Sequence, residues 1–127
     1  TIAFVKELQT RGCDFVDVSS GGNSPEQKID AGPGYQTGFA ADIRRATGMA
    51  TMAVGNIYEP DHVNSILMAG RADLVCLARP HLADPYWTLH AAATLGDKGV
   101  TWPDPYLPGR DQLYRLAERA EQMTGKV

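Results

Sequence analysis

The chain has 127 residues, 43% of them hydrophobic and 21% charged, with a formal net charge of −3. That balance is ordinary for a globular domain and excludes a disordered chain. The basic surplus of a nucleic-acid binder is missing, and the longest apolar runs are far too short to span a membrane.

The chain punctuates itself regularly. Ile2, Val5 and Leu8 fall at helical spacing, and Gly12 supplies a stop. Phe15–Val18 reads as a buried strand that runs into the polar loop Ser19-Ser20-Gly21-Gly22. Residues 23–34 read as an ordered excursion. A second helix begins near Thr37, with Phe39, Ala40, Ile43 and Ala46 as its apolar stripe, Asp42, Arg44 and Arg45 toward water, and Gly48 at its end. Met49–Val54 is the second strand, ending in Gly55-Asn56. Pro60, favoured in a first helical turn, opens a third helix through Val63, Ile66 and Leu67 to Gly70. Leu74–Leu77 is the third strand, ending at Ala78-Arg79.

A fourth helix is expected from the Asp84-Pro85 cap through Leu89, Ala92 and Leu95 to Gly96. Trp102–Pro108 reads as a linker or extended arm. A last helix covers Asp111–Thr124, with Leu113, Leu116, Ala117, Ala120 and Met123 on one face and Gly125 as its stop. The expected division is residues 1–100 as the domain proper and 101–127 as the arm and C-terminal helix.

Short apolar strands alternating with amphipathic helices predict an α/β fold with parallel strands and right-handed crossovers. The strands are apolar on both faces, so both faces call for cover. Three strands leave two open edges, and the first helix starts without a cap. The expectation is therefore a piece of a larger domain.

Ligands of parallel α/β folds gather at the carboxyl ends of the strands. Here those ends carry Ser19 and Ser20, then Gly55 and Asn56, then Arg79. A glycine that lets backbone N–H groups approach an anion, beside a forked arginine, describes a phosphate clamp. Each residue also has a plainer reading: Gly55 as a turn, Arg79 as a solvated cation, the serines as loop residues. Asp17, inside an apolar strand, is expected to be paired with backbone or an arginine. Cys13 and Cys76 read as buried, reduced thiols of a cytoplasmic protein. No signal-peptide pattern opens the chain. His62, His81 and His90 lack metal-ligand spacing and read as packing or surface residues.

Several blocks, in order and spacing, resemble the old yellow enzyme family of FMN-binding (β/α)₈ barrels. Phe15–Gly22 resembles its sixth strand, and Pro33-Gly34-Tyr35-Gln36 with Phe39-Ala40 and Ile43-Arg44 the stretch into the next helix. Ala53-Val54-Gly55-Asn56-Ile57 resembles strand seven. Gly70–Val75, Ala78-Arg79-Pro80 and Leu82-Ala83-Asp84-Pro85 resemble strand eight and its exit. The resemblance implies the C-terminal part of such a barrel, with the FMN phosphate at Gly55 and Arg79. It implies that Ser19, Val54, Asn56 and Ala78 line the ribityl and phosphate end, and that NAD(P)H is the reductant. Ala78 departs from the glycine frequent there. Ala78–Leu82 and Tyr106–Leu113 further resemble the reductase half of bifunctional enzymes acting on aryl-CoA thioesters, the aminobenzoyl-CoA monooxygenase/reductase and salicylyl-CoA hydroxylase types.

In this family the proton donor lies on strand four and the residue at the flavin N1/O2 edge on strand five. Neither strand is in the chain, so the resemblance implies no catalytic residue here and an isolated chain without activity. Arg110 stands where several relatives send an arginine into the neighbouring subunit's active site, which implies a homo-oligomer. Two other readings fit parts of the pattern. Dihydrouridine synthases also place FMN phosphate on a late-strand arginine, but the acidic charge and the blocks at 19–22 and 82–85 speak against them. The other is a phosphate-binding or assembly module without flavin chemistry.

Overall fold

Three strands pair side by side in chain order, all parallel, in a computed structural model that describes residues 1–125. The elements are α1 (Ile2–Thr10), β1 (Phe15–Val18), α2 (Thr37–Thr47), β2 (Ala50–Ala53), α3 (Pro60–Met68) and β3 (Leu74–Val75), then α4 (Arg79–Ala83), α5 (Trp87–Thr94), a 3₁₀ turn (Asp104–Tyr106) and α6 (Leu107–Thr124). They pack as two compact units, Thr1–Ala78 and Arg79 onward. That packing boundary falls ahead of the arm expected from residue 101.

In the first unit, strand alternation puts Val16, Val18, Thr51, Ala53 and Val75 on one face. Helices cover that face: Val18 and Ala53 share a core with Val5 of α1, Ala40 and Ile43 of α2, and Ile66 of α3. Ile66 has no exposed surface, so its burial contributes about 1.5–3 kcal/mol. The opposite face carries Phe15, Asp17, Ala50, Met52 and Leu74, and Phe15 and Leu74 are 46% and 48% exposed. Asp17 is exposed on this open face rather than buried and paired, so it escapes the desolvation that would have demanded a partner.

α2 ends at Gly48, which adopts φ 70 and donates its N–H to the Arg44 carbonyl at 2.9 Å. Only a glycine takes that left-handed position without strain. Arg44 lies partly toward water, as expected, but it is also tied down. Its Nε lies 3.1 and 3.0 Å from the two carboxylate oxygens of Asp73, and Nη1 donates to the Gly70 carbonyl. Asp73 in turn accepts the Thr51 N–H at 3.0 Å. One ion pair thus ties α2, β2 and the entry to β3. The third strand is shorter than expected, yet the ladder continues one residue past it through Cys76 N–H to Ala53 O at 2.8 Å.

The second unit departs further from the sequence pattern. A short helix, α4, occupies Arg79–Ala83, where Pro80 fits a first turn. Asp84 does not cap α5. Its Oδ1 accepts the Tyr86 N–H at 3.0 Å in a local turn, and α5 starts at Trp87. The stretch Trp102–Pro108 is not an extended arm. Trp102 is buried against Ala93 and Tyr114, and the chain then turns through Asp104–Tyr106 directly into α6. Pro105 and Pro108 sit in first turns, where a missing N–H costs nothing, so these prolines start helical structure instead of preventing it. Gly125 ends α6 at φ −80, without the left-handed stop.

Candidate functional site

Because the strands are parallel and the register pairs Val18 with Ala53 and Ala53 with Val75, their carboxyl ends share one edge. That edge carries Ser19 and Ser20 after β1 and Val54, Gly55 and Asn56 after β2. Ala78 closes the segment after β3. Ser19 and Ser20 are exposed and border an opening of about 320 Å³ with Val18, Phe39 and Ile43. Gly55 is buried and Asn56 half-buried.

The β2 end is conformationally unusual. Gly55 has φ 124, and Asn56, with φ 50, is the one non-glycine residue at positive φ among the described residues. A Cβ on Gly55 would lie 2.9 Å from both Gln36 Nε2 and the Tyr35 ring. The Gly55 carbonyl accepts the Gly34 N–H at 3.0 Å, and Asn56 Nδ2 donates to the Ala31 carbonyl at 3.0 Å. The backbone N–H groups of Gly55 and Asn56 donate to nothing among the described residues. Two successive unspent donors at a strand end fit an anionic oxygen, the chemistry a phosphate needs.

Gln36 is the residue the sequence reading left without a role. It is 4% exposed, accepts the Ser20 N–H through Oε1, and reaches the Val54 carbonyl with Nε2 at 3.4 Å. Its signal in the sequence is faint: a polar residue just before a helix normally reads as a cap.

Arg79 follows Ala78 in the chain, opens α4 and belongs to the second unit. Its side chain is exposed and pairs with no carboxylate among the described residues. Arg110 lies in the first turns of α6 and donates from Nε and Nη2 to Asp111 Oδ1 at 2.9 and 2.8 Å. It borders an open groove of about 410 Å³ with Lys98, Tyr114, Arg115 and Glu118.

The histidines have local partners. His62 packs against Gly34, His81 stands edge-on to Trp87 with ring centres 5.9 Å apart, and His90 Nδ1 lies 2.5 Å from Asp84 Oδ2. The His90 hydrogen bond holds the Asp84 carboxyl below the usual carboxylate range. Cys13 and Cys76 are free and half-buried, and no cluster among the described residues would hold a metal. No described helix is long and apolar enough to cross a membrane.

Comparison with known proteins bears on the same region. The profile of the NADH:flavin oxidoreductase / NADH oxidase family matches residues 2–98. An NADPH dehydrogenase of Geobacillus thermodenitrificans (strain NG80-2) is 47% identical over 97 residues, covering 76% of this chain and 28% of its own length. The NADPH dehydrogenase of Bacillus subtilis (strain 168) is 42% identical over 94 residues, with coverage of 74% and 28%. The chain thus spans 28% of the length of these relatives.

Proposed function

Since the chain belongs to the NADH:flavin oxidoreductase / NADH oxidase family, we propose that it is the phosphate-holding C-terminal part of an FMN-dependent NAD(P)H oxidoreductase, contributing strands six to eight of a (β/α)₈ barrel. The family and its NADPH dehydrogenase members imply FMN and NAD(P)H as cofactors. The carrying observation is the β2 end, where buried Gly55 and half-buried Asn56 leave two successive N–H donors unspent. In this reading those donors and the Arg79 guanidinium hold the FMN phosphate, while Ser19, Val54 and Ala78 line the cofactor beside them. Arg79 suits the role because no carboxylate among the described residues neutralises it. Bound FMN would supply hydride transfer from the nicotinamide to an activated C=C bond. This chain's own work is to bind and orient the phosphate end.

Arg79→Ala in the full-length protein tests the assignment. FMN affinity should fall by about 2–4 kcal/mol, the cost of unpairing a charge-assisted contact. Unchanged affinity, measured by flavin fluorescence on the apoprotein, would reject Arg79 as a phosphate ligand. A purified full-length protein without a yellow flavin band would reject the flavoenzyme reading in favour of a phosphate-binding or assembly module.

The finer proposal is that the electron acceptor is an aryl-CoA thioester and the parent a bifunctional monooxygenase/reductase. It rests on the likeness of Ala78–Leu82 and Tyr106–Leu113 to that group, whereas the relatives named above are NADPH dehydrogenases. Turnover of simple enones at rates far above those of aryl-CoA thioesters would overturn it.

A further inference from the structure

The strand ends at the proposed phosphate site do not hold themselves in place; the loop Gly34–Gln36 crosses them. Gln36 is buried and uses both ends of its amide, accepting the Ser20 N–H beyond β1 and donating to the Val54 carbonyl beyond β2. Two residues earlier, the Gly34 N–H donates to the Gly55 carbonyl at 3.0 Å. A peptide unit is planar, and with no cis bonds among the described residues its C=O and N–H point in opposite directions. The Val54 carbonyl and the Gly55 N–H belong to one such unit. Holding the carbonyl toward Gln36 therefore aims the Gly55 N–H away from it. The same reasoning applies to the next unit: Gly34 fixes the Gly55 carbonyl and thereby aims the Asn56 N–H.

We infer that Gln36 is a positioning residue for FMN-phosphate binding, fixing the peptide plane that presents the Gly55 donor and clamping the β1 and β2 ends together. The inference rests on the FMN reading above. It also explains why this position calls for an amide. Glutamine alone among side chains of its shape offers an acceptor to Ser20 and a donor to Val54 at once. A glutamate would keep the acceptor, lose the donor and bring a negative charge toward the phosphate. A leucine would lose both. Glycine at position 55 completes the arrangement, because any Cβ there would lie 2.9 Å from the Gln36 amide nitrogen.

A buried glutamine that only filled space would disturb every flavin equally; one that aims phosphate donors would not. The test compares FMN with riboflavin, which lacks the phosphate, by fluorescence titration of the full-length apoprotein. Gln36→Leu and the near-isosteric Gln36→Glu should each raise the Kd for FMN about tenfold or more, as loss of a buried polar contact does. Their Kd for riboflavin should stay at the wild-type value. Equal weakening of both flavins, or an unchanged FMN Kd in both variants, would overturn the role. A wild-type protein that binds riboflavin as tightly as FMN would remove the phosphate site itself, and this inference with it. If Gln36→Leu does not fold, Gln36→Glu alone decides, since it preserves volume.

Discussion

Gly55→Ala probes the β2 end directly. Gly55 sits at φ 124, where an L-residue is strained by about 1–3 kcal/mol. The added methyl would also stand 2.9 Å from Gln36 Nε2 and 2.9 Å from Tyr35 Cε1. Overpacking of that kind costs about 1–3 kcal/mol. Tyr35 is half-buried and can yield; Gln36 is tied to Ser20 and Val54 and cannot yield without releasing them. The expected loss of stability is about 2–6 kcal/mol, with FMN affinity falling alongside as the peptide plane turns. Gly38→Ala is the matched control. Gly38 lies inside α2 with nothing within 4 Å of its prospective Cβ and no positive φ, so alanine should stabilise by about 0.4–1 kcal/mol. Urea unfolding midpoints of the full-length variants, with FMN titrations beside them, measure both effects. If Gly55→Ala unfolded at the wild-type midpoint and bound FMN normally, the crowding argument would be refuted.

The first unit was legible in the sequence because its signals are local and repetitive. The apolar runs at Phe15, Met49 and Leu74, each preceded by a helix stripe and a glycine stop, gave the strand order and parallel direction that the sheet adopts. The strand-end residues Ser19, Gly55 and Asn56 followed from topology alone. What stayed hidden depends on contacts distant in sequence. The Arg44–Asp73 pair joins residues 29 apart, and Arg44 by itself looks like any solvent-facing helix cation. Gln36 spans 16 and 18 residues to its two partners, and its burial has no local signature. The second unit was misread where proline has two meanings. Its prolines make Trp102–Pro108 read as a linker or extended arm, whereas Pro105 and Pro108 begin helical turns after the buried Trp102.

The Arg44 hydrogen bond, and then the Thr51 N–H, hold the Asp73 carboxyl below the usual carboxylate range. A depressed folded-state pKa stabilises the fold above the unfolded-state value and loses that contribution as pH falls through the folded value. Asp73→Asn should therefore flatten the acid limb of the unfolding midpoint plotted against pH; an unaltered limb would show that the pair carries no pH-linked stability. Arg110→Ala in the full-length protein should lower kcat/KM if the protein is an oligomer in which this arginine leaves Asp111 to reach a neighbouring subunit's active site, and wild-type kinetics would end that idea. The last expectation concerns the 127-residue chain by itself. Its sheet has three strands, so β1 and β3 each present an unpaired edge. Its uncovered face exposes Phe15 and Leu74 by nearly half, with Met52 between them. Asp17 is the one charged residue that the strands place on this face, and its half-exposed apolar side chains favour cover by further chain or a second copy. Relatives about 2.7 times as long have ample chain to cover it. Expressed alone, the chain should self-associate through that face, and supplying the preceding part of the protein should suppress the association. It should also fail to reduce an enone with added FMN and NADPH. Phosphate contacts alone leave the isoalloxazine ring uncovered, and a missing positioned proton donor costs a factor of about 10² to 10⁴. Sedimentation showing a monomer at high concentration, or ene-reduction above the free-flavin background, would contradict the assignment of this face to a barrel interior.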